Sequence, residues 1–107
     1  MKTLVNLIRI ENFEQEVIAE KRPVLLLCMP RDEQFTNQLK LMEDIAGRYI
    51  NEIKACVLQE ETIEAFKKSY SILGTPTFLI LVKGQERSRL LGLADPETLT
   101  NLISNFQ

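Results

Sequence analysis

The sequence predicts an α/β fold: a mixed five-stranded sheet with helices on both faces. Three observations point there. "PVLLLCM" (23–29) is a continuous apolar run, as expected of a strand buried on both faces of a sheet. Phe35, Leu39, Met42, Ala46 and Tyr49 recur at i, i+4, i+7, i+11 and i+14, one stripe of a helix of period 3.6. "TPTFLILVKGQERSRLLGL" (75–93) reads as two strands around a turn at Lys83-Gly84-Gln85. Alternation that closes on a hairpin gives the order βαβαβαββα, and hence parallel and antiparallel neighbours in one sheet.

The elements follow in order. "TLVNLI" (3–8) is a short first strand. Asn12 is placed to cap a helix whose apolar residues Phe13, Val17 and Ile18 recur at helical spacing. The run 23–29 is the second strand, and the striped helix follows it, with Asn37, Lys40, Glu43 and Asp44 mostly on its polar side. "EIKACVLQ" (52–59) is the third strand. Thr62 can cap a short helix carrying Ile63, Phe66 and Tyr70, and Gly74 comes soon after its end. The hairpin is next. Asp95 then caps a last helix with Pro96 at its first position, where a missing N–H costs nothing, and with Leu99, Leu102, Ile103 and Phe106 as its apolar face.

Composition narrows the function. A chain of 107 residues, 45% hydrophobic and 26% charged, suits one globular domain over 1–107. Thirteen Lys and Arg against fifteen Asp and Glu leave a net charge of −2, with no basic surplus to hold a nucleic-acid backbone. The apolar runs are too short to cross a bilayer. Arg9 and Glu11 interrupt the N-terminal apolar stretch, which is therefore not expected to be a signal peptide, and a cytoplasmic setting follows by default. There is no histidine, the commonest general base and metal ligand. Cys28 and Cys56 are too far apart for a zinc site or a redox pair, and a reducing cytoplasm keeps both as thiols. Neither a metal nor an organic cofactor is expected.

Over nearly its whole length the chain resembles the thioredoxin family. "GTPTF" (74–78) looks like that family's G-x-P-T segment, and "YSILGTPTFLILVKGQ" (70–85) follows its pattern through the hairpin glycine. Gly92, "IAGRY" (45–49) and the final helix also fit. The resemblance implies a cis peptide bond before Pro76, facing the active site. It also exposes a departure. Counting back from "IAGRY" puts Asp32 and Phe35 where the family has its two redox cysteines, Glu33 and Gln34 between them, and Arg31 at the preceding tryptophan. Leu26 takes the place of the family's buried carboxylate, and Lys40 that of its helix-kinking proline.

Disulfide exchange needs an attacking thiolate and a second thiol to resolve the mixed disulfide. Asp32 and Phe35 carry no sulfur, so dithiol cycling by the family route is not expected. Asp32 reads instead as an N-cap, accepting from the N–H of Gln34 or Phe35. Cys28, the one sulfur near the turn, reads as a packed core thiol. Its functional reading is a weak candidate for single-thiol chemistry, made acidic by Arg31 or the helix N-terminus. The backbone beside Thr75-Pro76 reads as a place where an extended peptide adds as a strand, with Met29, Pro30, Arg31 and Asp32 on the opposite lip. The expected function is therefore a non-catalytic thioredoxin-fold protein that holds a protein or peptide partner as an adaptor, chaperone-like protein or complex subunit. The alternative is a single-cysteine redox protein using Cys28. A third reading is a purely structural dimer subunit.

Overall fold

The computed structural model describes residues 4–106. The chain enters as β1 (Asn6–Ile8), makes one π-helical turn over Glu14–Ile18, and continues through β2 (Val24–Cys28), α1 (Phe35–Arg48) and β3 (Lys54–Leu58). A 3-10 turn over Glu60–Thr62 leads into α2 (Ile63–Ser69); β4 (Thr77–Val82), β5 (Gln85–Leu91) and α3 (Pro96–Phe106) complete it. The sheet order is β1-β3-β2-β4-β5. β3 runs parallel to both β1 and β2, while β4 runs antiparallel to β2 and β5. The expected mixed five-stranded sheet is present, and this architecture is compatible with a thioredoxin-like fold. Thr3, counted with the first strand, lies outside the described residues.

β2 occupies the centre and every one of its residues is buried. Its alternation sorts the core into two layers. Leu25 and Leu27, with Met29 just beyond the strand, face one layer with Met42 and Ile45 of α1 and Leu99 and Ile103 of α3. Val24, Leu26 and Cys28 face the other, with Val17, Ile63, Phe66 and Leu79. Each fully buried Leu contributes about 1.5–3 kcal/mol to folding relative to an exposed one. On α1 the buried face is centred on Leu41, Met42, Ile45 and Ala46, while Phe35, Leu39 and Tyr49 of the anticipated stripe lie half-buried at its margins.

The termini of the elements show where local signals held. Asp95 caps α3, accepting the Thr98 N–H at 2.8 Å and the Thr98 hydroxyl at 2.7 Å. Lys83 and Gly84 both adopt positive φ, 53° and 83°, as a two-residue hairpin turn requires. Gly84 is needed for a second reason: a Cβ there would stand 2.9 Å from Ile18 Cγ1. Thr62 does not cap α2; its hydroxyl donates to the Gln59 carbonyl. Asn12 does not cap a helix either. Its carboxamide closes the turn after β1, accepting from the Arg9 N–H at 2.7 Å and donating to the Leu7 carbonyl at 3.0 Å. The expected helix is shortened to one turn, closed by the Ala19 N–H on the Glu14 carbonyl. The Glu16 carbonyl accepts instead from buried Lys54 Nζ at 2.9 Å.

That lysine sits in a charge cluster that ties the π turn to β3. Lys54 Nζ lies 2.8 Å from Glu16 Oε1 and 3.5 Å from Glu20 Oε1. Arg22 Nε lies 2.8 Å from Glu20 Oε2, and its Nη1 donates to the Ile50 carbonyl at 2.7 Å. The Arg22 hydrogen bond pulls the Glu20 carboxyl from 4.5 to about 2, against the opposing effect of burial. A carboxylate depressed in the folded state stabilises fully above its unfolded pKa, and that contribution is lost as pH falls through the folded value. Glu20→Gln is therefore expected to lower the urea midpoint at neutral pH. The gap from wild type should shrink as pH drops from 4.5 towards 2, and denaturation curves across that interval measure it.

Candidate functional site

The register of β2 and β4 builds one end of the molecule. Cys28 stands opposite Thr77, so Met29-Pro30 leave the sheet beside the chain that enters it through Thr75-Pro76. The Thr75-Pro76 peptide bond is cis. The Thr77 hydroxyl donates to the Gly74 carbonyl at 2.6 Å and closes this loop from inside. On the far side Thr77 pairs with Leu91, and the Gly92 N–H donates to the Pro76 carbonyl at 2.8 Å. The 29–35 turn, the 73–76 loop and the segment after β5 thus meet at one edge. This pairing sets the main chain of Met29-Pro30 beside Thr75-Pro76, but the Met29 side chain is fully buried in the core and does not line a groove as expected.

Within the turn, Asp32 accepts the Gln34 N–H on its carboxylate at 2.9 Å and the Phe35 N–H on its main-chain carbonyl at 3.1 Å. The expected side-chain bond is there, but α1 begins three residues later, at Phe35. Asp32 shapes the approach to the helix instead of occupying its N-cap, because residues 31–34 spend a tight turn in leaving the sheet. Glu33 and Gln34 are exposed on that turn. Arg31 is held from three directions. Its N–H donates to Glu60 Oε2 at 2.7 Å, its Nη1 donates to the Met29 carbonyl at 3.2 Å, and its guanidinium covers the Phe35 ring at 4.2 Å. The last contact is a cation–π pair worth about 0.5–1 kcal/mol at an exposed site.

Cys28 lies elsewhere. Strand alternation turns it to the α2 side of the sheet, away from α1, and it is fully buried. Burial pushes its thiol up to about 11; Lys67, the largest charge acting on it, only partly offsets this. Cys56, on the same side, is pushed by burial to about 12. Both cysteines are free thiols. No group of three or more Cys, Asp or Glu is placed to hold a metal ion among the described residues, and no helix there is long and apolar enough to cross a membrane.

Residue-by-residue reading of the sequence missed an apolar ring around this end. Leu73 is 94% exposed, Leu91 65% and Leu93 54%. Leu73 precedes Gly74, where a Cβ would stand 3.9 Å from Leu91 Cδ1, and Leu93 follows Gly92. β5 is an edge strand, guarded by Glu86, Arg87 and Arg89 and by a bulge between its Ile80 and Leu81 partners. That protection stops before Leu91. Gln38 fixes the segment carrying Leu93: its Nε2 donates to the Ala94 carbonyl at 3.0 Å, and the Ala94 N–H donates to its Oε1 at 2.9 Å. The signals were a glutamine inside a helical core face and "LLGL" at a strand end.

The thiol and the clasp each give a test. At pH 8 the folded protein is expected to react with iodoacetamide roughly a hundredfold more slowly than an unfolded chain, whose cysteines titrate near 8.5. Mass spectrometry of the alkylated protein, with and without denaturant, checks this. Gln38→Ala leaves the Ala94 main chain without its partners and is expected to cost about 1–3 kcal/mol in chemical denaturation.

Comparison with known proteins adds a distant likeness. The chain is 22% identical over 97 residues to thioredoxin M5, a chloroplastic protein of Oryza sativa subsp. japonica, covering 90% of this chain and 56% of that protein. It is 24% identical over 97 residues to the chloroplastic M-type thioredoxin of Triticum aestivum, covering 90% of this chain and 55% of that protein. The chain spans about half the length of the curated relatives it matches. No family model matches it. The likeness supports a place among thioredoxin-like proteins.

Proposed function

We propose that this chain is a thioredoxin-fold binding module without dithiol exchange, holding a protein or peptide partner at the groove between Pro30-Arg31-Asp32, with the main chain of Met29, and Thr75-Pro76. The observation that carries the reading is the ring of exposed leucines, 73, 91 and 93, around that groove. Large leucines exposed together at one end of a sheet suit a docking surface. The open edge of β5 and the main chain before Pro76 offer an extended segment hydrogen-bonding groups, and the leucines offer it apolar contacts. Asp32 and Phe35 occupy the positions from which thiols would act in the family alignment, and neither can form or resolve a mixed disulfide. Two buried, reduced thiols suit a reducing compartment such as the cytoplasm.

The single-thiol alternative requires an activated, reachable thiolate. The burial of Cys28 and the engagement of Arg31 with Glu60, Met29 and Phe35 weigh against it.

Two measurements test the proposal. With dithiothreitol or a thioredoxin reductase as reductant, the protein is expected to give no turnover of insulin disulfides; robust turnover that persists in Cys28→Ser overturns the non-catalytic reading. In affinity capture from a native extract, Leu73→Ser/Leu91→Ser/Leu93→Ser is expected to lose the specific partners of the wild type. Full retention of those partners by a folded triple variant places recognition elsewhere.

A further inference from the structure

We propose that a second groove, between α2 and the ends of β1 and β3, binds a medium-chain fatty acid. β1 and β3 run parallel, and after Ile8 and Leu58 their chains diverge. One makes the turn closed by Asn12; the other enters α2. The cleft between them has a volume of about 410 Å³, within the usual range of small-molecule sites. Its floor is Ile8, Leu58 and Phe66, all buried. Ala65 and Ser69, one helical turn apart on α2, are small enough to leave it open.

The chemistry of the lining selects the ligand. Two of the lining hydroxyls are already engaged. The Thr62 hydroxyl donates to the Gln59 carbonyl at 2.8 Å, and the Tyr70 hydroxyl donates to the Gly84 carbonyl. The aromatic rings are engaged with one another: Phe66 stacks on Tyr70 with centroids 4.5 Å apart, and Phe13 meets Phe66 edge-on at 6.0 Å. These contacts hold the rings as walls of an apolar cleft, which suits a flexible aliphatic chain. One charge lines the cleft. Arg9 uses its main chain in the Asn12 turn, and among the described residues its guanidinium has neither an ion pair nor a hydrogen bond. An unpaired cation at the rim of an apolar cleft complements a single carboxylate on an apolar tail.

Isothermal titration with decanoate, with decanol as the uncharged comparison, tests this on the whole chain. The expected result is saturable one-to-one binding of decanoate, with amide NMR shifts confined to residues near Ile8, Ala65 and Ser69. Arg9→Ala should weaken decanoate by about tenfold and leave decanol unchanged. Ala65→Phe fills the cleft from an exposed helix position and should abolish both; far-UV circular dichroism and a thermal melt verify that each variant is folded. Absence of saturable binding, shifts centred on Leu73, Leu91 and Leu93, or folded variants that bind like the wild type would each overturn the assignment. Equal weakening of decanoate and decanol by Arg9→Ala would overturn the carboxylate.

Discussion

The structure depends on one strand being hydrogen-bonded on both sides and covered on both faces. Val24–Cys28 pairs with β3 in parallel and with β4 in antiparallel, and no residue of it reaches solvent. A one-residue slip would exchange its two sets of side chains between layers, so its register is strongly specified. Leu25 and Leu27 belong with α1 and α3; Val24, Leu26 and Cys28 belong with α2 and the π turn. The site follows from the same constraint. Because Cys28 is paired with Thr77, the turn leaving β2 and the loop entering β4 meet at one edge.

Strand parity also separates position from chemistry. Cys28 is close in sequence to Met29 and Arg31, but its side chain belongs to the other layer. Leu26, on that same layer, is fully buried and packs with Leu79. An unpaired carboxylate at such a place would be costly to bury, whereas a leucine adds to the core. The turn itself is occupied by polar contacts, Asp32 with Gln34 and Arg31 with Glu60, that hold its shape.

Much of this fold was legible because its signals are local or periodic. The apolar run 23–29, the alternation of strands and helices, Asp95-Pro96 and Lys83-Gly84 each act through their own backbone, and each has the structural role its chemistry suggests. Asn12 was misread because the same carboxamide can cap a helix or close a turn, and here it bonds back to Leu7 and Arg9. Asp32 was nearly right, since its bond to Gln34 is local while the start of α1 is set by packing. Leu91 and Leu93 could not be distinguished from core leucines in sequence, because exposure at a sheet edge depends on which strands lie beside it. Gln38 was hidden for a related reason: its partner, Ala94, comes from the far end of the chain.

The contact between Gly84 and Ile18 bears on how the protein is made. The hairpin tip packs against the segment that follows β1, and β1 has no strand to pair with until β3 is present. Nothing before the second half of the chain can complete the layer that covers Val17 and Ile8. Ile8 and Val17 therefore stay uncovered until that half is present, and closure of the layer joins distant parts of the chain at once. A glycine at the hairpin tip thus serves the assembly of the N-terminus as much as the turn in which it sits.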